Sequence, residues 1–299
     1  MKRVAFAAFL VLCVFALMEL GLRSADYRAP AKALDFRLRI ADEPHGEPDR
    51  YRFWKIPGRG PHFTKGAYKI VCLADSVTLT DQGKGYPEDL PDAFHRAGYI
   101  GAVEVFNAGV PEYTSFQGRV YLERELLAAH PDLVTVHFGV HDHYRAPGGV
   151  PDESVCTPSE TSLRFNRVFM RARAYQAVRA LAMKMAARKG EAPFRVSPES
   201  YVKNLERIAE LSRAAGALVA LVAPPYLDNG DAAIALHRRY VLLTNDAGER
   251  LGVPVVDLTE NFRFASDLFI NPDSDPIHFN RDAGRMIAQA IAERVLKRH

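Results

Sequence analysis

The chain predicts an α/β fold: a three-layer α/β/α sandwich around an open, mainly parallel five-stranded sheet, preceded by a membrane-crossing helix. Three observations point there. Short apolar runs alternate with longer helical stretches, the order that builds a parallel sheet with helices on both faces. The runs are apolar at consecutive positions, as in strands buried on both sides. Ahead of them lies an uncharged apolar segment outside everything that reads as domain.

That segment comes first. Lys2 and Arg3 precede the uncharged run Val4–Met18, which continues through Glu19-Leu-Gly-Leu22 to Arg23. A spanning helix needs about 17–25 residues, so the run is a span only with Glu19 in the interface. No small-x-small cleavage site follows Met18 cleanly, although Ser24-Ala25 leaves room for one. The reading is an uncleaved signal anchor over 1–23, with Lys2 and Arg3 inside and the rest outside the cytoplasm, on the periplasmic or extracellular side. Residues 24–62, with scattered Arg, Asp, Glu and Pro and no sustained period, read as a tether. Residues 63–299 read as one domain.

Within that domain the strand candidates are Tyr68–Ala74, Val103–Asn107, Leu133–Phe138, Leu218–Ala223 and Val253–Asp257. Helical stretches are Tyr86–Ala97, Gln117–His130, Pro198–Ala215, Ala232–Leu251 and Arg281–Lys297. In open sheets of this kind ligands bind beyond the carboxyl ends of the strands. Ser76, Gly109 and Asp142 all fall there.

Composition narrows the function classes. A 48% hydrophobic content in 299 residues suffices for one good core. A net charge of +3 gives no ground for a nucleic-acid partner. Beyond Cys13 in the anchor, the cysteines are Cys72 and Cys156; Cys72 sits inside the first strand and reads as a small hydrophobe. The first strand is followed by Asp-Ser and not by a glycine-rich phosphate loop, which argues against a nucleotide site.

The chemistry lies in two short pieces. The first strand ends in Asp75-Ser76, and Asp275-Pro-Ile-His278 precedes the last helical stretch. A serine hydroxyl becomes nucleophilic when a base takes its proton, and that base needs a partner to hold its tautomer. Asp275 and His278, three apart on one turn, can be presented from the same side.

Here the residues resemble the SGNH (GDSL-type) hydrolase family, from about Tyr68 to Lys297. Four blocks carry the resemblance in order: Ala74-Asp75-Ser76-Val77-Thr78, Asn107-Ala108-Gly109, Gly139-Val140-His141-Asp142 and Asp275-x-x-His278. The resemblance implies a flavodoxin-like fold, with Ser76 as nucleophile, His278 as base and Asp275 as its orienting partner. It places the oxyanion hole at the Ser76 and Gly109 N–H groups and the third-block side chain. Asp75, Asn107 and Asp142 are supporting residues. The third-block donor is His141 where the family has Asn, and Ala74 replaces the family's first glycine. Losing an oxyanion donor costs around 3 kcal/mol, so His141 matters most if its ring supplies an N–H.

Other features have plainer readings. His137, His141 and His143 with Asp142 invite a metal, but a strand over Leu133–Phe138 sends His137 to one face and leaves the others beyond its end. No metal and no organic cofactor are expected. Arg164–Lys189 is basic, lacks acidic residues and carries interleaved apolar residues. It reads as a solvated face on an inserted helix, with an anionic membrane surface or a lid as alternatives. Trp54 reads as packing, Tyr226 as close to a pocket rim, and Asp81, Glu112 and Arg145 as surface or supporting positions.

The resulting expectation is a membrane-anchored esterase acting on an acetyl or short acyl ester, carried by a cell-envelope carbohydrate or lipid. O-acyl transfer by the same triad and a non-catalytic envelope binding protein are the alternatives.

Overall fold

The computed structural model describes residues 2–29, 47–79, 85–155, 159–186, 192–230 and 232–297; Asp81 and Cys156 lie outside them. The chain divides into two compact units. One comprises Met1–Pro57 and Arg145–Pro193, the other Gly58–Tyr144 and Phe194–His299.

The first unit holds helix α1 (Lys2–Ser24), the antiparallel pair β1 (Glu47–Asp49) and β2 (Phe53–Lys55), and two later helices described below. The β1–β2 pair falls within the stretch read from sequence as an irregular tether. Strands of three residues are too short to show a period. Trp54 is buried in β2, with its ring 6.5 Å from that of Phe53.

The second unit is built on β3 (Tyr68–Ala74), β4 (Val103–Asn107), β5 (Leu133–His137), β6 (Leu218–Val222) and β7 (Val255–Val256). They form one five-stranded sheet in the order β4-β3-β5-β6-β7, every pair parallel. The order places β5 at its centre, flanked by β3 and β6; Ile70–Ala74 of β3 and the whole of β5 are buried. β7 is shorter than expected because Pro254 has no N–H to give the ladder, although its carbonyl still accepts from Leu221 N.

Helices α2 (Leu90–Arg96) and α8 (Arg281–Leu296) pack together on one face. Leu90, Phe94, Ile287 and Ile291 meet Ile70, Cys72 and Ala74 of β3 there, all of them buried. The pleat sends Val71 and Leu73 to the other face. Helices α3 (Ser115–Tyr121), α6 (Pro198–Ala214) and α7 (Ala232–Leu251) pack in succession. Each fully buried side chain of this size contributes about 1.5–3 kcal/mol of transfer free energy.

The caps explain the boundaries. Ser197 accepts from Ser200 N with Pro198 at the first helical position, and Asn280 accepts from Asp282 N and Ala283 N. α3 starts two residues before the expected Gln117 because Gln117 is the reaching-back partner of a capping box on Thr114. The predicted single helix over Gln117–His130 instead passes through a π turn (Leu122–Leu126) and a 3₁₀ turn (Leu127–Ala129), ending at left-handed His130.

Candidate active site

Ser76 stands immediately beyond β3, at the start of a 3₁₀ turn over Ser76–Thr78. Asp75 closes that turn by accepting from Val77 N at 3.0 Å. The first amides of such a turn have no intrahelical acceptor, so the N–H of Ser76 faces outward from the backbone ladder. Ala74 lies within β3, fully buried, and its methyl group packs in the core. The glycine of the family pattern is therefore not needed for backbone conformation here.

Ser76 Oγ is 2.9 Å from His278 Nε2, and His278 Nδ1 is 2.7 Å from Asp275 Oδ2. A carboxylate only accepts, so Nδ1 carries the proton and Nε2 presents its lone pair to the serine hydroxyl. Asp275 Oδ1 also accepts from the N–H groups of Ile277 and His278. The local backbone is not the helical turn suggested by the spacing. Asp275–Phe279 is a strand, β9, paired antiparallel with β8 (Phe269–Asn271) across an irregular register. Positions three apart on a regular strand point to opposite faces. The Asp275 side chain, curled back onto the next amides, brings it to His278 instead. Ser76, His278 and Asp275 are each partly exposed, so a substrate can reach them.

The second block brackets the other side. Asn107 Oδ1 accepts from Gly109 N at 3.0 Å, while Asn107 Nδ2 donates to Thr78 O at 2.8 Å. The Gly109 N–H, expected to serve the oxyanion hole, is oriented by Asn107. A Cβ on Gly109 would lie 1.9 Å from Thr78 Oγ1 and 2.9 Å from Asp75 O, so the approach of the Ser76 turn requires glycine there.

His141 is buried and its Nδ1 lies 3.1 Å from Asp75 Oδ2. Burial alone would push the Asp75 carboxyl up, but the hydrogen bond and charge of His141 and the Val77 N–H hold it below the ordinary carboxylate range. Asp142 is fully buried and accepts from Ser115 N, Ser115 Oγ (2.5 Å) and Gly139 N. Burial pushes its carboxyl up to about 7 against the lowering effect of the Ser115 bonds. Asp142 therefore ties the start of α3 to the loop beyond β5. Gly139 has φ +132, a conformation that admits little but glycine.

His137 and His143 have separate partners. His137 lies between Phe279, stacked at 6.2 Å, and Tyr86 at 5.9 Å. His143 Nε2 meets His237 Nδ1 at 3.1 Å, and His237 Nε2 donates to Pro224 O. Among the described residues no three His, Cys, Asp or Glu side chains are grouped to hold a metal ion. Tyr226, read as a rim residue, is buried against His237. Arg145 belongs to the first unit, where it donates to Ala192 O. Glu112 takes φ +64 in the loop after Gly109. Cys72 is a free, buried thiol pushed up to about 12 by desolvation.

The sequence profile of the GDSL-like lipase/acylhydrolase family matches residues 72–285. The chain belongs to this family. It is an ester-hydrolysing enzyme. The profile covers both ends of the Ser76–His278 pairing. No curated protein matches this GDSL-like acylhydrolase. Among solved structures it is similar to the lipase/acylhydrolase from Enterococcus faecalis (20% identity, 77% of this chain and 96% of that one, TM-score 0.50). It is also similar to an acetylxylan esterase from Geobacillus stearothermophilus (18% identity, 76% and 94% covered, TM-score 0.51). At these identities the likeness is one of fold.

Two residues of the GDSL-like site carry no motif signal. Arg59, within the stretch read as tether, donates to Gly109 O at 2.9 Å and to Asn107 O, with its guanidinium 5.9 Å from the Phe106 ring centre. Tyr144, two residues past the third block, is 46% exposed with its ring 5.0 Å from that of His141. Burial and the charges of Asp75 and Asp275 raise its phenol above the ordinary value. Proximity to the third block was the one available hint for Tyr144, and Arg59 had none.

Proposed function

We propose that this acylhydrolase works through an acyl-Ser76 intermediate, with His278 as general base and acid and Asp275 as its orienting partner. The observation that carries the reading is the continuous relay from Ser76 Oγ through His278 to Asp275 at 2.9 and 2.7 Å. His278 Nε2 takes the hydroxyl proton as Oγ bonds to the ester carbon, and the carbonyl electrons move onto its oxygen. The oxyanion is met by the N–H groups of Ser76 and Gly109 and by Nε2–H of His141. His278 then returns the proton to the departing alcohol as the carbon–oxygen bond breaks. Water, deprotonated by His278, releases the acid from Ser76.

His141 enters this scheme in a particular charge state. Its Nδ1–H is given to Asp75, so Nε2 carries a proton only in the imidazolium form. Asn107 supports the Gly109 amide by fixing its direction, and the oxyanion shares that N–H in a three-centre bond.

The substrate class we propose is an acetyl or short acyl ester on a cell-envelope carbohydrate or lipid. The acetylxylan esterase among the similar folds supports an acyl group borne on carbohydrate. Helix α1, long and apolar enough to cross a membrane, supports an anchored enzyme, with Lys2 and Arg3 at the cytoplasmic side and the site outside. A p-nitrophenyl ester panel tests the function. Wild-type protein releases nitrophenol fastest from the acetyl to butyryl esters, and Ser76→Ala lowers kcat by roughly 10³-fold or more. Release that survives Ser76→Ala in a folded variant overturns the assignment of the nucleophile.

A further inference from the structure

The first unit carries two helices that the ester chemistry does not use, α4 (Glu160–Phe169) and α5 (Arg173–Ala186). Their exposed side chains are apolar on one stripe each. Phe165, Val168 and Phe169 follow i, i+3, i+4 spacing on α4, and Val178, Leu181 and Met185 follow i, i+3, i+7 on α5. These six are between 37% (Phe169) and 77% (Met185) exposed. Such stripes face water at a cost unless something covers them. The flanking exposed charges are all basic, Arg164, Arg171 and Lys184, and no acidic residue occurs between Glu160 and Glu191.

What covers the stripes follows from how α5 is joined to α1. Glu19 accepts from Ala174 N at 2.7 Å, at the start of α5, and pairs with Arg23 at 2.7 Å. Arg173 answers in the other direction. It donates to the carbonyls of Leu22 and Arg23 at the end of α1 and pairs with Asp26 at 2.9 Å. Each helix thus satisfies the orphan backbone groups of the other's end. The partly covered residues of α1, Cys13, Phe15, Met18, Glu19 and Leu22, lie in its C-terminal half, whereas residues 2–12 are exposed throughout. If α1 spans a bilayer, the start of α5 is fixed at the boundary where the span ends.

We infer that α4 and α5 lie in the plane of an anionic lipid leaflet, apolar stripes among the acyl chains and Arg164, Arg171 and Lys184 at the phosphates. The sign of the charge selects the partner: a basic rim beside an apolar stripe fits anionic headgroups over hydrocarbon, and each basic residue near such a surface adds to the attraction. The carboxylate at position 19 becomes intelligible in the same picture. It sits at the end of the span, where its partners Arg23 and Ala174 N meet it. The inference rests on the reading of α1 as a span.

The test uses the full-length chain with Cys13→Ser and Cys156→Ser; Cys72 is buried and stays unlabelled. Single spin labels at Val168→Cys, Leu181→Cys or Met185→Cys report depth after reconstitution into phosphatidylcholine vesicles with or without phosphatidylglycerol. A label at Val11→Cys reports insertion of α1, and one at Arg171→Cys reports the polar side. The expected result is a several-fold higher accessibility to oxygen than to an aqueous nickel chelate at 168, 181 and 185, as at 11, with the reverse at 171. The preference at 168, 181 and 185 should weaken without phosphatidylglycerol. If Val11 is embedded while these three positions stay open to nickel, the inference fails and the anchor stands. Exclusion of both reagents with dipolar broadening shows a second copy covering the stripes and also overturns it. Equal embedding in both lipids overturns the anionic preference. If Val11 itself is open to nickel, the anchor reading fails and the inference with it.

Discussion

With Nδ1–H given to Asp75, the His141 ring has a proton to offer an oxyanion only when it is charged. A neutral amide at this position has an N–H at every pH. His141→Asn is therefore expected to keep or raise ester turnover. His141→Ala is expected to lower kcat/KM by about 10²–10³-fold, the usual cost of one oxyanion donor. A pH–rate profile of both variants checks this, and unchanged rates in both remove His141 from the oxyanion hole. This position was legible as a question from sequence, since a histidine stands where the family has asparagine. The answer, a ring held by the carboxylate next to the serine, needed the fold, because 66 residues separate the pair.

At the scale of elements, the strands and helices of the second unit were legible because burial on both faces and helical spacing write themselves into the residue pattern. Ala232–Leu251 has the same ends in the structure as in the sequence reading, and Pro198 and Arg281 start their helices as expected. Asp275–His278 was legible as a pair but not as a strand: a three-residue partner strand leaves too little pattern to read. The same limit hid β1 and β2. Arg59 was out of reach for another reason, since a lone arginine bonding backbone carbonyls has no spacing rule. Packing between elements yields its own prediction at Gly118 of α3. A Cβ there would lie 2.2 Å from Phe138 Cζ, against the residue that follows β5. Alanine favours a helix over glycine by about 1 kcal/mol, but overpacking a core costs about 1–3 kcal/mol. Gly118→Ala should lower unfolding stability by up to about 2 kcal/mol, read by chemical denaturation, and should lose activity through the Ser115–Asp142 junction beside it. A variant more stable than wild type contradicts this packing.

For the molecule as a whole, the buried histidines set the acid limit. Burial lowers His137 and His237 to about 4 and His143 to about 3, from an ordinary value near 6.5. The unfolded chain therefore binds more protons at these sites between about pH 4 and 6.5, and stability falls as pH drops through that window. Asp142, raised to about 7, works the other way: the folded state holds its proton from about pH 4 to 7, and that advantage is lost as pH rises. Three groups outweigh one. Stability should decline below pH 6.5 by about 1.4 kcal/mol per pH unit for each net proton taken up on unfolding. Asp142→Asn should steepen that decline and gain relative stability above pH 7. Denaturation midpoints from pH 4.5 to 8 check both, and a flat profile contradicts the burial of neutral histidines. The measurement that reaches the central claim most directly is labelling of the intact protein by a fluorophosphonate, with the modified residue located by peptide mass spectrometry. The account predicts one adduct, on Ser76, formed at a rate that collapses in His278→Ala. Labelling at another serine, or labelling of Ser76 that is indifferent to His278, would contradict it.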